Sequence, residues 1–248
     1  MKERRALTVH CTSPTKARFD RAATVMPGTA EVVAWYARLD QVQERATRYA
    51  MLMDDDERQR ADRFRFPQDR ERFILGHGLL REILGQHLHA DPSSLRLERG
   101  EFGKPFLSGN PVHFNLSDTK DGLLVALAKQ PLGADIETLQ RSTDHSSVAE
   151  HYFTPNEVAG ISAAKDGKRR FLELWTRKEA VLKACGVGLM DELHSLEVGN
   201  ARNELFISHP DLVRMAAAEY HVSTFEVGTH HLVSLAAEEE FHVRFLEA

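Results

Sequence analysis

The chain has 248 residues, 42% hydrophobic and 28% charged, with a formal net charge of −5. That length buries a proper core, in one large domain or two small ones, and the balance excludes global disorder. The acidic total excludes a dedicated nucleic-acid binder, and no apolar run is long enough to span a bilayer. Two cysteines, Cys11 and Cys185, make no disulfide framework, so a reducing cytosol is the expected compartment.

In chain order, residues 1–28 are charged but hold no apolar signal core, and read as a flexible leader. Val32 to Leu39 is β-branched and aromatic, which predicts a strand. An arginine-rich stretch follows, with Arg58, Arg60, Arg63, Arg65, Arg70 and Arg72 interleaved with acids. It reads as a salt-bridged helix, or as a phosphate-holding face if two or three arginines converge. From Asp69 to His89 the apolar residues recur at a 3.6-residue period, predicting a long amphipathic helix.

Short strands are expected at Leu95–Glu98, Val112–Leu116 and Leu123–Ala128, punctuated by Gly and Pro. Another runs from Ala134 to Glu137, and helices dominate from about Ser147 to Cys185. Strand patterns return at Glu204–Ser208, Val222–Val227, Leu232–Ala236 and Phe241–Leu246. The order predicts an α+β fold, a pseudo-two-fold pair of similar halves. Residues 29–131 would form the first half and residues 132–248 the second.

Four further segments carry candidate chemistry. In Gly133-Ala134-Asp135-Ile136-Glu137, Asp135 and Glu137 share one strand face, ~7 Å apart along the chain. Two carboxylates so placed are either solvated surface acids or a site for a hard cation. In Phe171 to Cys185, Lys178 and Glu179 fall inside the apolar arc, with Lys183 one turn after Glu179. Buried charges on that arc are either a structural ion pair or a ligand-facing set. Phe102-Gly103-Lys104-Pro105 is a turn presenting a lysine, and Phe114-Asn115-Leu116-Ser117-Asp118-Thr119 a strand ending in small polar groups.

The succession of basic helix, GKP turn, FNLS strand end, GADIE, FTPNE and WTRKEAVLK resembles the surfactin-type phosphopantetheinyl transferase family. The resemblance covers about Arg58 to Gly186. It implies a pseudo-two-fold pair of halves with coenzyme A in the cleft between them. Asp135, Glu137 and Glu179 would ligate Mg²⁺, with Mn²⁺ not separable by ligand type. Lys183 and Lys178 would neutralise the coenzyme A diphosphate. Lys104, Arg58, Arg60, Arg72 and Ser117 would hold its phosphates, and Glu157 would act as base or metal-proximal group. Glu157 also fits a helix-capping role, since Thr154-Pro155-Asn156-Glu157 is a capping sequence.

One position departs from the family, which has histidine after the strand-end serine where this chain has Asp118. The implied reaction transfers 4′-phosphopantetheine from coenzyme A to a serine of an acyl or peptidyl carrier protein, releasing 3′,5′-ADP. A monomer is expected, because the pseudo-two-fold lies within one chain. The rival readings are another Mg²⁺-dependent nucleotidyl or phosphoryl transferase, and a non-catalytic module binding coenzyme A or the carrier. The chain has no P-loop motif, and Asp118 favours the module.

Overall fold

A computed structural model of the chain describes residues 4–21, 26–107, 109, 112–142, 144–188 and 193–248. Strands β1 (Arg5–Cys11), β2 (Thr15–Lys16), β3 (Phe19–Asp20) and β4 (Glu31–Arg38) come first. Helices α1 (Leu39–Val42), α2 (Ala46–Leu52), α3 (Asp55–Ala61) and α4 (Pro67–Leu88) follow. Next come β5 (Leu97–Arg99), β6 (Pro105–Leu107), β7 (His113–Thr119), β8 (Gly122–Ala128) and β9 (Leu132–Thr138). After α5 (His145–Tyr152), α6 (Pro155–Ala163) and α7 (Gly167–Cys185), the chain closes with β10 (Arg202–Ile207), α8 (Pro210–Met215), β11 (Glu219–Val227), β12 (His231–Ala237) and β13 (His242–Glu247).

Two main sheets form, in the orders β10-β1-β11-β12-β9 and β3-β13-β4-β8-β7, with β2 attached to β11, and β5 and β6 make a separate two-stranded sheet. The strand alternation sorts their side chains into layers. Val33, Trp35 and Ala37 of β4 pack with Leu75, Leu79 and Ile83 of α4. Val32 and Ala34 of the same strand face the other way, onto Leu132, Ala134 and Ile136 of β9 and Val233 and Leu235 of β12. Beyond that second sheet, Leu232 and Ala236 meet α7 through Leu174, Val181 and Leu182. The order is helix, sheet, sheet, helix. A strand with both faces covered reads as a continuous apolar run, and β8 is buried along its whole length.

Pro67 opens α4 and His89 ends it in the left-handed conformation, φ 49°. The start of α7 is capped by Asp166, which accepts from Arg169 N at 2.9 Å, and Gly186 ends it at φ 78°. The long helices and most strands fall within a few residues of their expected places.

The expected leader is overturned. β1 lies between β10 and β11, antiparallel to one and parallel to the other, with Leu7 and Val9 buried. The Asn203 side chain donates to Val9 O at 3.0 Å, and Arg177 to Thr12 O at 2.8 Å. Residues 1–3 and 22–25 of that stretch lie outside the described residues. The boundaries of the two halves change as well. β13 pairs with β4 and so completes the sheet of the first half, while β1 completes that of the second.

Because β1 is internal to its sheet, Leu7→Ala lowers unfolding stability by about 2–5 kcal/mol. Denaturant titration checks this; an unchanged midpoint would return the segment to a dispensable role.

Candidate active site

The two sheets meet where β7 runs beside β9, and side chains make the junction. Asn115, Ser117 and Thr119 share one face of β7. Asn115 Oδ1 accepts from Ala134 N at 2.8 Å. Ser117 Oγ donates to Asp135 Oδ1 at 2.9 Å and accepts from Ile136 N at 3.3 Å. Thr119 Oγ1 donates to Glu137 Oε2 at 3.4 Å. These bonds aim the carboxylates of β9 along the seam.

The third carboxylate arrives on α7, and Gly133 lets it come close. A Cβ built on Gly133 would lie 1.9 Å from Ala180 O and 2.4 Å from Ala184 N. No side chain fits there, so the α7 backbone rests directly on β9. That approach puts Lys183 Nζ 2.6 Å from Asp135 Oδ1 and 3.0 Å from Ser117 Oγ. Burial alone would lower the Lys183 pKa, but Asp135 and Glu179 outweigh it and hold the ammonium above its usual value.

The carboxylates are under-satisfied. Asp135 Oδ2 and Glu179 Oε1 are both buried without a hydrogen-bond partner. Burial, then the charge of Asp135, pushes the Glu137 carboxyl up to about 7. Burial and Asp135 raise Glu179 in the same direction. Arg141 pairs with Glu137 and stacks over Trp175, 5.6 Å from the ring centre. Among the described residues no three acidic, imidazole or thiol groups stand already closed around one point. The donor set nonetheless fits a hard cation. It offers carboxylate oxygens alone, two of them open, and buried open oxygens are costly without a positive partner.

A cleft lies on each side of this cluster. One, about 240 Å³, is lined by Phe102, Lys104, Pro105, Glu179 and Lys183. The other, about 400 Å³, is lined by Arg72, Asp118, Lys120, Glu137 and Arg141.

Two family models match the chain. One described as the 4′-phosphopantetheinyl transferase superfamily matches residues 131–236, and one described as the N-terminal part of 4′-phosphopantetheinyl transferase matches residues 35–132. The 4′-phosphopantetheinyl transferase HetI of Nostoc sp. is 35% identical over 175 residues, covering 68% of this chain and 73% of HetI. A phosphopantetheinyl transferase of Thraustochytrium sp. is 30% identical, covering 75% of this chain and 70% of its own. The 4′-phosphopantetheinyl transferase Sfp of Bacillus subtilis is 27% identical, covering 79% and 86%. The chain belongs to the surfactin-type 4′-phosphopantetheinyl transferase family.

The remaining candidate residues of this transferase divide. Lys104 reaches the site, where Nζ donates to Leu132 O at 2.9 Å and Lys183 O at 2.5 Å, and burial brings its pKa down to about 8. Arg72 reaches it too, held by Asp118 at 2.6 Å and Asp69 at 3.0 Å. Asp118 therefore faces a guanidinium. Arg58 is exposed and bound to Met53 O and Asp55. Arg60 lies over the Phe73 ring at 5.2 Å with Nη1 buried and unpartnered. Neither lines the two clefts.

Lys178 and Glu157 are corrected. Lys178 Nζ lies 2.7 Å from Glu157 Oε2, with both side chains fully buried. The same ammonium donates to Leu193 O and Leu196 O at 3.1 and 2.5 Å. Glu157 accepts from Thr154 N at 3.0 Å and Val198 N at 2.9 Å. Neither residue lines either cleft. The capping role is the one Glu157 fills, and the pair is structural. Asn115 and Thr119 stand in the strand end already singled out, where the two-residue period through Ser117 was the signal for them, whereas Arg141, three residues past the end of β9, had no local signal.

Glu157→Gln leaves the Lys178 charge buried without its counter-ion and lowers stability by about 3–5 kcal/mol. Activity per folded molecule is retained. A variant with an unchanged melting temperature and no turnover would restore Glu157 to the reaction.

Proposed function

We propose that this transferase moves the 4′-phosphopantetheine arm of coenzyme A onto a serine of an apo acyl or peptidyl carrier protein, with Mg²⁺ held by Asp135, Glu137 and Glu179. The observation that carries the metal assignment is the pair of buried, unpartnered oxygens, Asp135 Oδ2 and Glu179 Oε1. Family membership supports the transfer itself.

Magnesium in that position would offset the diphosphate charge and draw electron density from the phosphorus under attack. The chain's own residues supply the rest. Lys183, kept protonated by its two carboxylate neighbours, faces the negative charge that develops on the phosphoryl oxygens. Ser117 holds Asp135 and Lys183 in one hydrogen-bonded set, so the ammonium needs little reorganisation during the reaction. The serine hydroxyl gives up its proton to water as its oxygen bonds the β-phosphorus, and the bond from that phosphorus to the bridging oxygen breaks, so that 3′,5′-ADP leaves with the electron pair. Catalysis is chiefly positioning and electrostatics.

Lys104 and Arg72 stand on opposite sides of the carboxylates and are the cations placed to meet the coenzyme's phosphates. Asp118, the residue that favoured a non-catalytic module, is met by Arg72 at 2.6 Å and does not present an unopposed charge. A monomer is part of this proposal, because the two halves that frame the cleft lie within one chain. Cys11 and Cys185 are free and buried, in keeping with a reducing cytosol. No helix among the described residues is long and apolar enough to cross a membrane.

Intact-mass spectrometry of an apo carrier protein incubated with the enzyme, coenzyme A and Mg²⁺ tests the reading. A phosphopantetheine mass gain is expected, and EDTA abolishes it. Asp135→Asn and Glu179→Gln each reduce the rate at least ~100-fold with the fold intact. Near-normal turnover in both would sink the metal assignment. Asp118→Asn frees Arg72 from one partner and lowers the KM for coenzyme A about fivefold, the scale of one exposed ion pair. An unchanged KM would show that Arg72 does not reach the substrate.

A further inference from the structure

The polar seam continues past Thr119 into the turn between β7 and β8. There Asp121 Oδ2 accepts from Thr138 Oγ1 at 3.3 Å, one residue beyond Glu137. Asp121 Oδ1 lies 3.0 Å from Nε2 of His231, the first residue of β12. His231 stands opposite Thr138 in the β9–β12 pairing, and Leu232 stands opposite Glu137. Its other nitrogen, Nδ1, is 3.0 Å from the Tyr36 hydroxyl on β4. His231 is 1% exposed.

The network fixes its own protons. Burial pushes the Tyr36 hydroxyl up to about 12, so it keeps its proton and donates to Nδ1. Nε2 then carries the ring proton and donates to the Asp121 carboxylate. Room for the ring exists because residue 122 is glycine: a Cβ there would lie 2.8 Å from His231 Nε2. Tyr36 and Asp121 belong to one sheet, His231 and Thr138 to the other. Tyr36, His231, Asp121 and Thr138 thus form a continuous chain of bonds across the junction at the Glu137 end of β9.

The two ends of β9 are held differently. Around Asp135, the α7 backbone, Ser117 and Lys183 all fix the strand. Glu137 is held by a long 3.4 Å bond from Thr119 and by Arg141, a side chain on the rim of the open cleft. Within its own sheet this end is held by the backbone pairing of β9 with β12, and across the junction the further ties are Asp121 to Thr138 and Asp121 to His231.

We infer that His231 is a positioning residue for the transfer reaction: through Asp121 and Tyr36 it sets where the Glu137 end of β9 lies against β7. The inference rests on the reading of Asp135, Glu137 and Glu179 as a cation site. A carboxylate ligand displaced by a fraction of an ångström weakens the cation's hold and slows chemistry without changing the phosphate contacts at Lys104 or Arg72.

The experiment uses the full chain carrying His231→Leu, His231→Gln or Tyr36→Phe. It reads Mn²⁺ affinity by calorimetry without coenzyme A, kcat and KM for coenzyme A in the Mg²⁺-supported transfer assay, and the melting temperature. His231→Leu weakens Mn²⁺ binding and lowers kcat by about tenfold each, with KM unchanged; that is the lower end of what loss of a ligand's direct hydrogen-bond partner costs, as suits a residue that acts on Glu137 through Asp121 and Thr138. His231→Gln, which keeps a donor for Asp121, recovers most of both. Tyr36→Phe removes one hydroxyl and produces the same pattern at smaller size, and it decides the matter if His231→Leu does not fold. Wild-type Mn²⁺ affinity and kcat in the Leu and Phe variants, whatever their melting temperatures, would reduce the network to a structural latch. A wild-type chain that binds Mn²⁺ but transfers nothing would overturn the proposed function alone, with calorimetry still reading His231. A wild-type chain that does neither overturns both.

Discussion

Two sheets belonging to different parts of the chain are joined by side chains rather than by a backbone ladder, and the site is built at that join. Along β7, Asn115, Ser117 and Thr119 reach across to Ala134 N, Asp135, Ile136 N and Glu137 of β9. Buried polar groups must find partners, so a seam of this kind specifies the relative placement of the sheets more sharply than apolar contact would. The same bonds leave one oxygen of Asp135 unsatisfied, beside the open oxygen of Glu179. A seam made of hydroxyls and carboxylates has spare acceptors where it ends, and a cation-dependent reaction needs acceptors there.

The approach of α7 completes the arrangement. Leaving out a side chain at Gly133 lets a helix rest on a strand, and the helix brings one acid and one ammonium to the two acids already present. Burial, and after it the charge of Asp135, raises the pKa of Glu137 and of Glu179. The cluster is therefore a place where the fold gives up stability that ligand binding can return. Elsewhere on α7 the chemistry runs the other way. Lys178 and Glu157 satisfy each other, two carbonyls and two amides, and hold α6 and the 193–198 segment to the helix.

The carboxylate strand and its helix were legible in the sequence because their signals are local. A two-residue period put Asp135 and Glu137 on one face, and a 3.6-residue period put Glu179 and Lys183 on another. Lys178 was misassigned because periodicity says only that a charge faces inward. Whether it meets a ligand or a counter-ion depends on Glu157, which lies 21 residues earlier in the chain. Similarly, β1 carries the alternation Leu7, Val9, Cys11, but its partners are residues 202–207 and 219–222. The alternation is a local signal outweighed by the charged residues around it, and what no local pattern gives is which distant strands it pairs with. The exchange of β1 and β13 between the sheets was hidden for the same reason. The Tyr36–His231–Asp121 chain joins residues from two strands and a turn far apart in the sequence and was equally out of reach.

Crystals grown with coenzyme A and Mn²⁺ would address the central claim directly, through an anomalous difference map at the manganese edge. The account predicts one strong peak within ligand distance of Asp135 Oδ2 and Glu179 Oε1, with Glu137 or coenzyme oxygens completing the shell. A map with coenzyme A bound, Lys183 still on Asp135 and no peak between the carboxylates would contradict it.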